Sequence, residues 1–226
     1  MSNNRDNIEI SIQNITKSMI LCRENSLQLK QEAMILLERN RQARAYALLH
    51  TACEELAKFF MLENTGRRLL LGQNINWKRF WQRIRSHNSK IAAIRVKIIH
   101  ENALDRLRSK DIEIINGGLT LLWRLGIQPR NSSLYVELDE KMIFQGPSQI
   151  DWEIPLYLLR GLCSFMINLS NEAGADEPSI QEYLRNKNSK VDRDDSVNFI
   201  VAAATILRDE GMTKEQFDKI FAKYYT

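Results

Sequence analysis

ARAYALLHTACEELAKFF, residues 43–60, decides the fold. The stretch is unusually rich in alanine, the strongest helix former, and its small side chains let a neighbouring helix approach closely. A helix is predicted over about residues 41–64, ending before Gly66, because glycine commonly closes helices.

The chain on either side carries the same signal. Upstream, Ile8, Ile12, Ile15, Met19, Cys22, Leu29, Ala33, Leu36 and Leu37 recur at the spacing of an amphipathic helix over about residues 8–39, with Asn25 and Ser26 as the place where it would divide. Downstream, Asn76 is placed to cap a helix that runs through Trp77, Phe80, Trp81, Ile84, Ile91, Ile94 and Ile98 and continues past His100. Residues 111–125 read as a further helix interrupted at Gly117 and Gly118. Between Pro129 and Pro147 the pattern changes: LYVEL (134–138), the turn DEK and then MIF predict one small hairpin. Helix character returns over residues 152–171. Past Ser196, Gly211 as a stop and Thr213 to Gln216 as a capping box predict a short helical hairpin. The expected organisation is a helical bundle over residues 1–174 with a hairpin near 133–146, a polar linker over 175–195 and the helical hairpin over 196–226.

Composition supports an all-α class, since 9 Gly and 4 Pro are few for 226 residues. Cys22, Cys53 and Cys163 lie far apart in apolar runs with no CxxC spacing, so free buried thiols are expected rather than a disulfide or a zinc site. Asp192, Asp194 and Ser196 have the start of a calcium loop's spacing, but Val197 and Ala203 occupy the positions that need Gly and Glu. No metal and no cofactor is expected. The amino-terminal MSNNRDNIEI lacks the apolar core of a secretory signal, and no run is long enough to span a bilayer, so a cytoplasmic protein away from membranes is expected.

Charge is unevenly distributed. Residues 67–110 hold twelve Lys/Arg against Glu101 and Asp105, a net of +10 in a chain whose total is +4. Such a segment reads either as a solvated basic face or as a surface for phosphate, nucleic acid or an acidic partner.

Two constellations within it could carry chemistry. On a continuous helix at about 100° per residue, Arg83 and Lys90 both fall within about 60° of His87, giving a basic stripe with one imidazole. A neutral imidazole can take a proton from a ribose 2′-OH while Arg and Lys stabilise charge on the phosphate. Glu55, one turn from Lys58, would orient His87 or hold Lys90, which is equally what an inter-helix ion pair looks like. Arg79, Arg85 and Arg95 are the neighbouring cations suited to RNA. Arg95 and His100 form a second candidate with four residues between them, but on an unbroken helix they lie about 140° apart.

The order ARAYALLHTACEELAKFF, FWQRIRSHNSKIAAI, then Arg130 to Leu138 (R-x-x-S-L-Y-V-E-L) resembles the AbiV family of abortive-infection proteins, in the HEPN superfamily of helical bundles, over about residues 18–170. The family's E-E-x-x-K block falls on Glu54, Glu55 and Lys58, its H-x-x-K block on His87 and Lys90, and its Tyr-Val-acid block on Tyr135, Val136 and Glu137. Arg95 and His100 have the R-x4-6-H spacing of HEPN ribonucleases, with Val96 where a polar residue is usual. The resemblance implies an antiparallel helical bundle and an antiphage effector that stops growth or translation, with RNA or the translation machinery and a phage-encoded activator as partners. It also implies a homodimer, because HEPN nucleases place their active residues at a dimer interface. Two readings stay open: a metal-independent endoribonuclease, or an effector that binds without cutting or only senses a phage protein.

Overall fold

In the computed structural model the described residues are 9–100, 128–135, 137–138, 144–149 and 152–186; at positions 95, 99, 100, 128, 129, 132, 137, 138, 144, 145 and 149 the backbone alone is described. The helices reading as 111–125 and 196–226 lie outside these residues. All-α is the class: among the described residues are helices α1 (Ile12–Glu38), α2 (Gln42–Leu70), α3 (Trp77–Arg85), α4 (His87–His100), α5 (Gln128–Leu134), α6 (Glu153–Asn171) and α7 (Glu177–Asn186), with one two-stranded hairpin between α5 and α6 in the chain.

Helix α1 starts at Ser11, whose side chain accepts from the Asn14 N–H, and runs unbroken through Asn25 and Ser26. Its end is a tight reversal. Asn40 takes a φ of 55°, and the Arg41 N–H returns to the Leu36 carbonyl at 2.8 Å, so α2 folds straight back along α1. Asparagine is one of the few residues besides glycine that tolerates this conformation.

Helix α2 is the axis of the fold and packs against α1, α4, α5, α6 and α7. Ala45, Ala52 and Ala57 are wholly buried beside Tyr46, Leu49, Leu56 and Phe59, so the alanine-rich face does bring neighbours close. It does not stop at Gly66. The helix continues to Leu70 and closes at Gly72, where φ is 68° and the Gln73 N–H bonds the Arg68 carbonyl. Gly66 is instead a close-packing position: a Cβ there would lie 2.9 Å from Leu184 Cδ1 and 3.3 Å from Ile15 Cγ2. Core contacts with α1 and α7 outweigh the roughly 1 kcal/mol that glycine loses within a helix.

The third predicted helix is two. Ser86 leaves helical geometry (φ −83°, ψ 124°), closes α3 by bonding the Arg83 carbonyl, and opens α4 by accepting from the Ser89 N–H through Oγ and from the Lys90 N–H through its carbonyl. A serine offering its side chain to the next turn is a strong helix start, and here it beats the continuous periodicity. Asn76 caps α3 as expected, accepting from the Arg79 N–H at 2.9 Å.

The hairpin is shorter than LYVEL implies. Leu134 ends α5 and Tyr135 bonds back to the Asn131 carbonyl, leaving Glu137–Leu138 (β1) to pair antiparallel with Phe144–Gln145 (β2). Downstream, Trp152 donates to the Pro147 carbonyl and packs on Tyr46 of α2 with ring centroids 4.8 Å apart. Part of the expected polar linker is α7, whose Ile180 and Leu184 are buried; Asp176 caps it through the Ser179 N–H. Arg23, buried on α1, ties the α6–α7 turn by donating to the carbonyls of Ser170, Gly174 and Ala175.

Candidate active site

The acid that meets the predicted His–Lys pair is Glu54, not Glu55. Glu54 Oε1 accepts from His87 Nδ1 at 2.6 Å, and Oε2 accepts from Lys90 Nζ at 2.7 Å. His50 Nδ1 lies 3.5 Å and Arg130 3.9 Å from Oε1. Glu55 points elsewhere: it accepts from Lys58 on its own helix at 2.6 Å, and its charge faces Cys22 of α1. Burial first, then the Glu55 charge, pushes the Cys22 thiol up to about 12. One residue turns the side chain by about 100°, which is the difference between facing α4 and facing α1.

Charge neutralisation explains why a carboxylate can sit here at all. Glu54 has a side chain 6% exposed, and burial alone would push its carboxyl up; hydrogen bonds from Lys90 and His87, then the charges of Lys90 and His50, outweigh that and hold it below its ordinary value. A carboxylate can only accept, so His87 Nδ1 carries the proton and Nε2 keeps the lone pair whenever the ring is neutral. The His87 side chain is 38% exposed, so the ring is within reach of a solute.

Lys90 is buried, with both its charge and its reach spent on Glu54, so it steadies the acid rather than meeting a phosphate as the stripe implied. Arg83 belongs to α3 and lies along a cavity with Arg79, separated from His87 by the Ser86 break. Arg85 is exposed on α3. The side chains of Arg95 and His100 lie outside the described residues, although both positions are in α4. The cation that sequence reading missed is Arg130, 24% exposed beside Glu54. His50 was missed too. Its signal was the spacing Tyr46, His50, Glu54, a polar stripe at four-residue steps in a buried helix.

A second carboxylate on α2 repeats the pattern. Glu63 accepts from Lys97 Nζ at 2.9 and 2.7 Å and from the Tyr183 hydroxyl at 2.9 Å, and it also pairs with Arg67. The pairs ascend together, 54 with 90 and 63 with 97, so α2 and α4 run parallel. Arg67, Lys90 and Lys97 all count toward the +10 segment, yet the three are paired with two acids that lie before them in the chain, Glu54 with Lys90 and Glu63 with both Arg67 and Lys97. The field of that segment is correspondingly weaker than its composition implies.

Trp77, Phe80 and Trp81 pack together: Phe80 is buried, and its ring meets both half-buried tryptophans edge-on against the core. Cys53 and Cys163 are buried and Cys22 half-buried, all as free thiols. Among the described residues no cluster of His, Cys, Asp and Glu could hold a metal ion, and no helix is long and apolar enough to cross a membrane.

Neither the curated proteins nor the solved structures contain a significant match to the chain. A family model described as AbiV matches residues 14–153, which spans α1 to the start of α6 and contains Glu54, His87, Lys90 and Arg130. With more than half of its length matched, the chain belongs to the AbiV family.

Proposed function

We infer that this abortive-infection protein is an RNA-targeting effector whose reactive centre is His87, and that it cleaves RNA without a metal. One observation carries the reading: a half-exposed imidazole whose Nδ1 is bonded to a buried, ionised carboxylate, with Nε2 left as the basic atom. Nε2 would take the proton of a ribose 2′-OH as that oxygen attacks the adjacent phosphorus, while the P–O5′ bond breaks, the 5′-oxygen leaves with a proton from water, and a 2′,3′-cyclic phosphate remains. Arg130 is the cation placed to meet charge on the phosphate, and Glu54 stabilises the imidazolium that forms. The reading includes a homodimer and an RNA or ribosomal target, in keeping with the family.

The test is cleavage of end-labelled RNA by the purified protein in excess EDTA. Expected are cut bands ending in a cyclic phosphate, absent in His87→Ala. Shifted but uncut bands would replace catalysis with a binding effector. Intact, unshifted RNA would remove RNA as the target. Light scattering at micromolar concentration should return twice the chain mass.

A further inference from the structure

We propose that the cavity between the C-terminal half of α2, α3 and α4 binds a nucleoside monophosphate, either free or as one unit of an RNA strand. The cavity has a volume of about 500 Å³, within the range of small-molecule sites. Its buried lining is mixed: Phe60, Met61, Ile75 and Phe80 are apolar, while Glu63, Thr65 and Lys97 are polar. Its mouth is cationic. Arg68 donates only to neutral acceptors, Gln73 Oε1 at 3.1 Å and the Asn74 carbonyl at 3.2 Å. Arg79 is exposed, and among the described residues no carboxylate pairs with either guanidinium.

Two unmatched guanidiniums at the rim and four buried apolar side chains within call for a ligand with two parts. A guanidinium fork fits a phosphate, and Phe60, Met61, Ile75 and Phe80 offer apolar surface to a flat ring. Asn76, at the N-terminus of α3, lines the same mouth, so the partial positive charge of that helix end adds to the arginines. Deeper in, Glu63 is already engaged by Lys97 and Arg67 and does not repel the phosphate from the rim. Lys97 lies seven residues beyond Lys90, about 10 Å along α4. A strand with one nucleotide in the cavity would therefore run along α4 toward His87. That RNA arm rests on the proposed function, whereas the free-nucleotide arm does not.

Calorimetric titration of the full chain with adenosine 5′-monophosphate tests the proposal, with adenosine and inorganic phosphate as separate probes and an Arg68→Ala/Arg79→Ala double variant. The nucleotide should bind more tightly than either fragment, and at least about tenfold more tightly to the wild type than to the double variant. No binding at millimolar nucleotide, adenosine binding as tightly as the nucleotide, or an undiminished double variant with native helicity would each overturn it. A short single-stranded RNA in EDTA separates the two sources. If the double variant weakens RNA binding and the nucleotide competes, the cavity holds a unit of RNA; if RNA binding is unchanged, it holds a free nucleotide. Nucleotide binding with RNA neither cut nor shifted would leave this site standing while removing the proposed function. RNA cleavage without nucleotide binding would do the reverse.

Discussion

Glu54 and Glu63 are two versions of one device. Each is a buried carboxylate on α2 clasped by a lysine of α4, yet their remaining partners differ. Glu63 is 2% exposed and surrounded by Lys97, Arg67 and a phenol, side-chain types whose ordinary titration lies well above neutrality. Glu54 adds two histidines, one of them open to solvent, and histidine is the side chain whose ordinary titration falls near neutrality. Buried ion pairs are weak evidence of function, because they also hold helices in register. What separates a chemical site from a clasp is a proton that can move and a route for a substrate to reach it.

The largest expected effect tests that separation directly. His87→Ala should lower RNA cleavage by about 10²- to 10⁴-fold while keeping native helicity, with a stability loss of about 1–3 kcal/mol from the donor that Glu54 loses. An inactive variant that is also unfolded, or an active one, would make the Glu54 centre no different in kind from the Glu63 centre.

Glu63→Ala should behave in the opposite way. Removing the acid leaves Lys97 buried without its counter-charge, and breaking one side of a buried pair costs about 3–5 kcal/mol. Urea denaturation should show that loss, with cleavage per folded molecule retained. A stability equal to wild type would mean that the second centre clasps nothing.

A third expectation concerns acid. The Glu54 carboxyl is depressed in the folded protein, so the stability it contributes is fully present above its ordinary value of 4.5 and is lost as pH falls through the lower, folded value. Glu54→Gln should be less stable at neutral pH and should lose less on acidification below pH 4.5. Midpoints measured against pH for both proteins check this, and parallel curves would contradict it.

The smallest effect is Tyr183→Phe, which removes the hydroxyl that donates to Glu63 and accepts from Arg67 at 3.4 Å and leaves the ring that Arg67 covers at 5.5 Å. A loss of about 1 kcal/mol is expected, mostly from the shorter bond to Glu63. Because Tyr183 lies on α7, the same measurement reports whether that helix is an energetic part of the bundle.

Much of this was legible locally. Asn76 as a cap, the amphipathic α1 and α6 and the pairing of His87 with Lys90 one turn apart all follow from spacing and side-chain chemistry within a few residues. Gly66 misled because its glycine serves a neighbour, Leu184, that is 118 positions away in the chain. Ser86 misled because apolar spacing reads straight across a break that one serine side chain makes.

By itself, then, the sequence determined the helical class, the family blocks and which residue types meet: an acid of the EE pair, a histidine and a lysine. Only the tertiary structure decided that the acid is Glu54, that Arg130 and His50 join it, and that Arg67, Lys90 and Lys97 are engaged by Glu54 and Glu63 rather than displayed. The physical reason is rotational. Local periodicity establishes that a helix forms, but the direction of each side chain depends on how that helix is turned against its neighbours, and one residue changes it by about 100°.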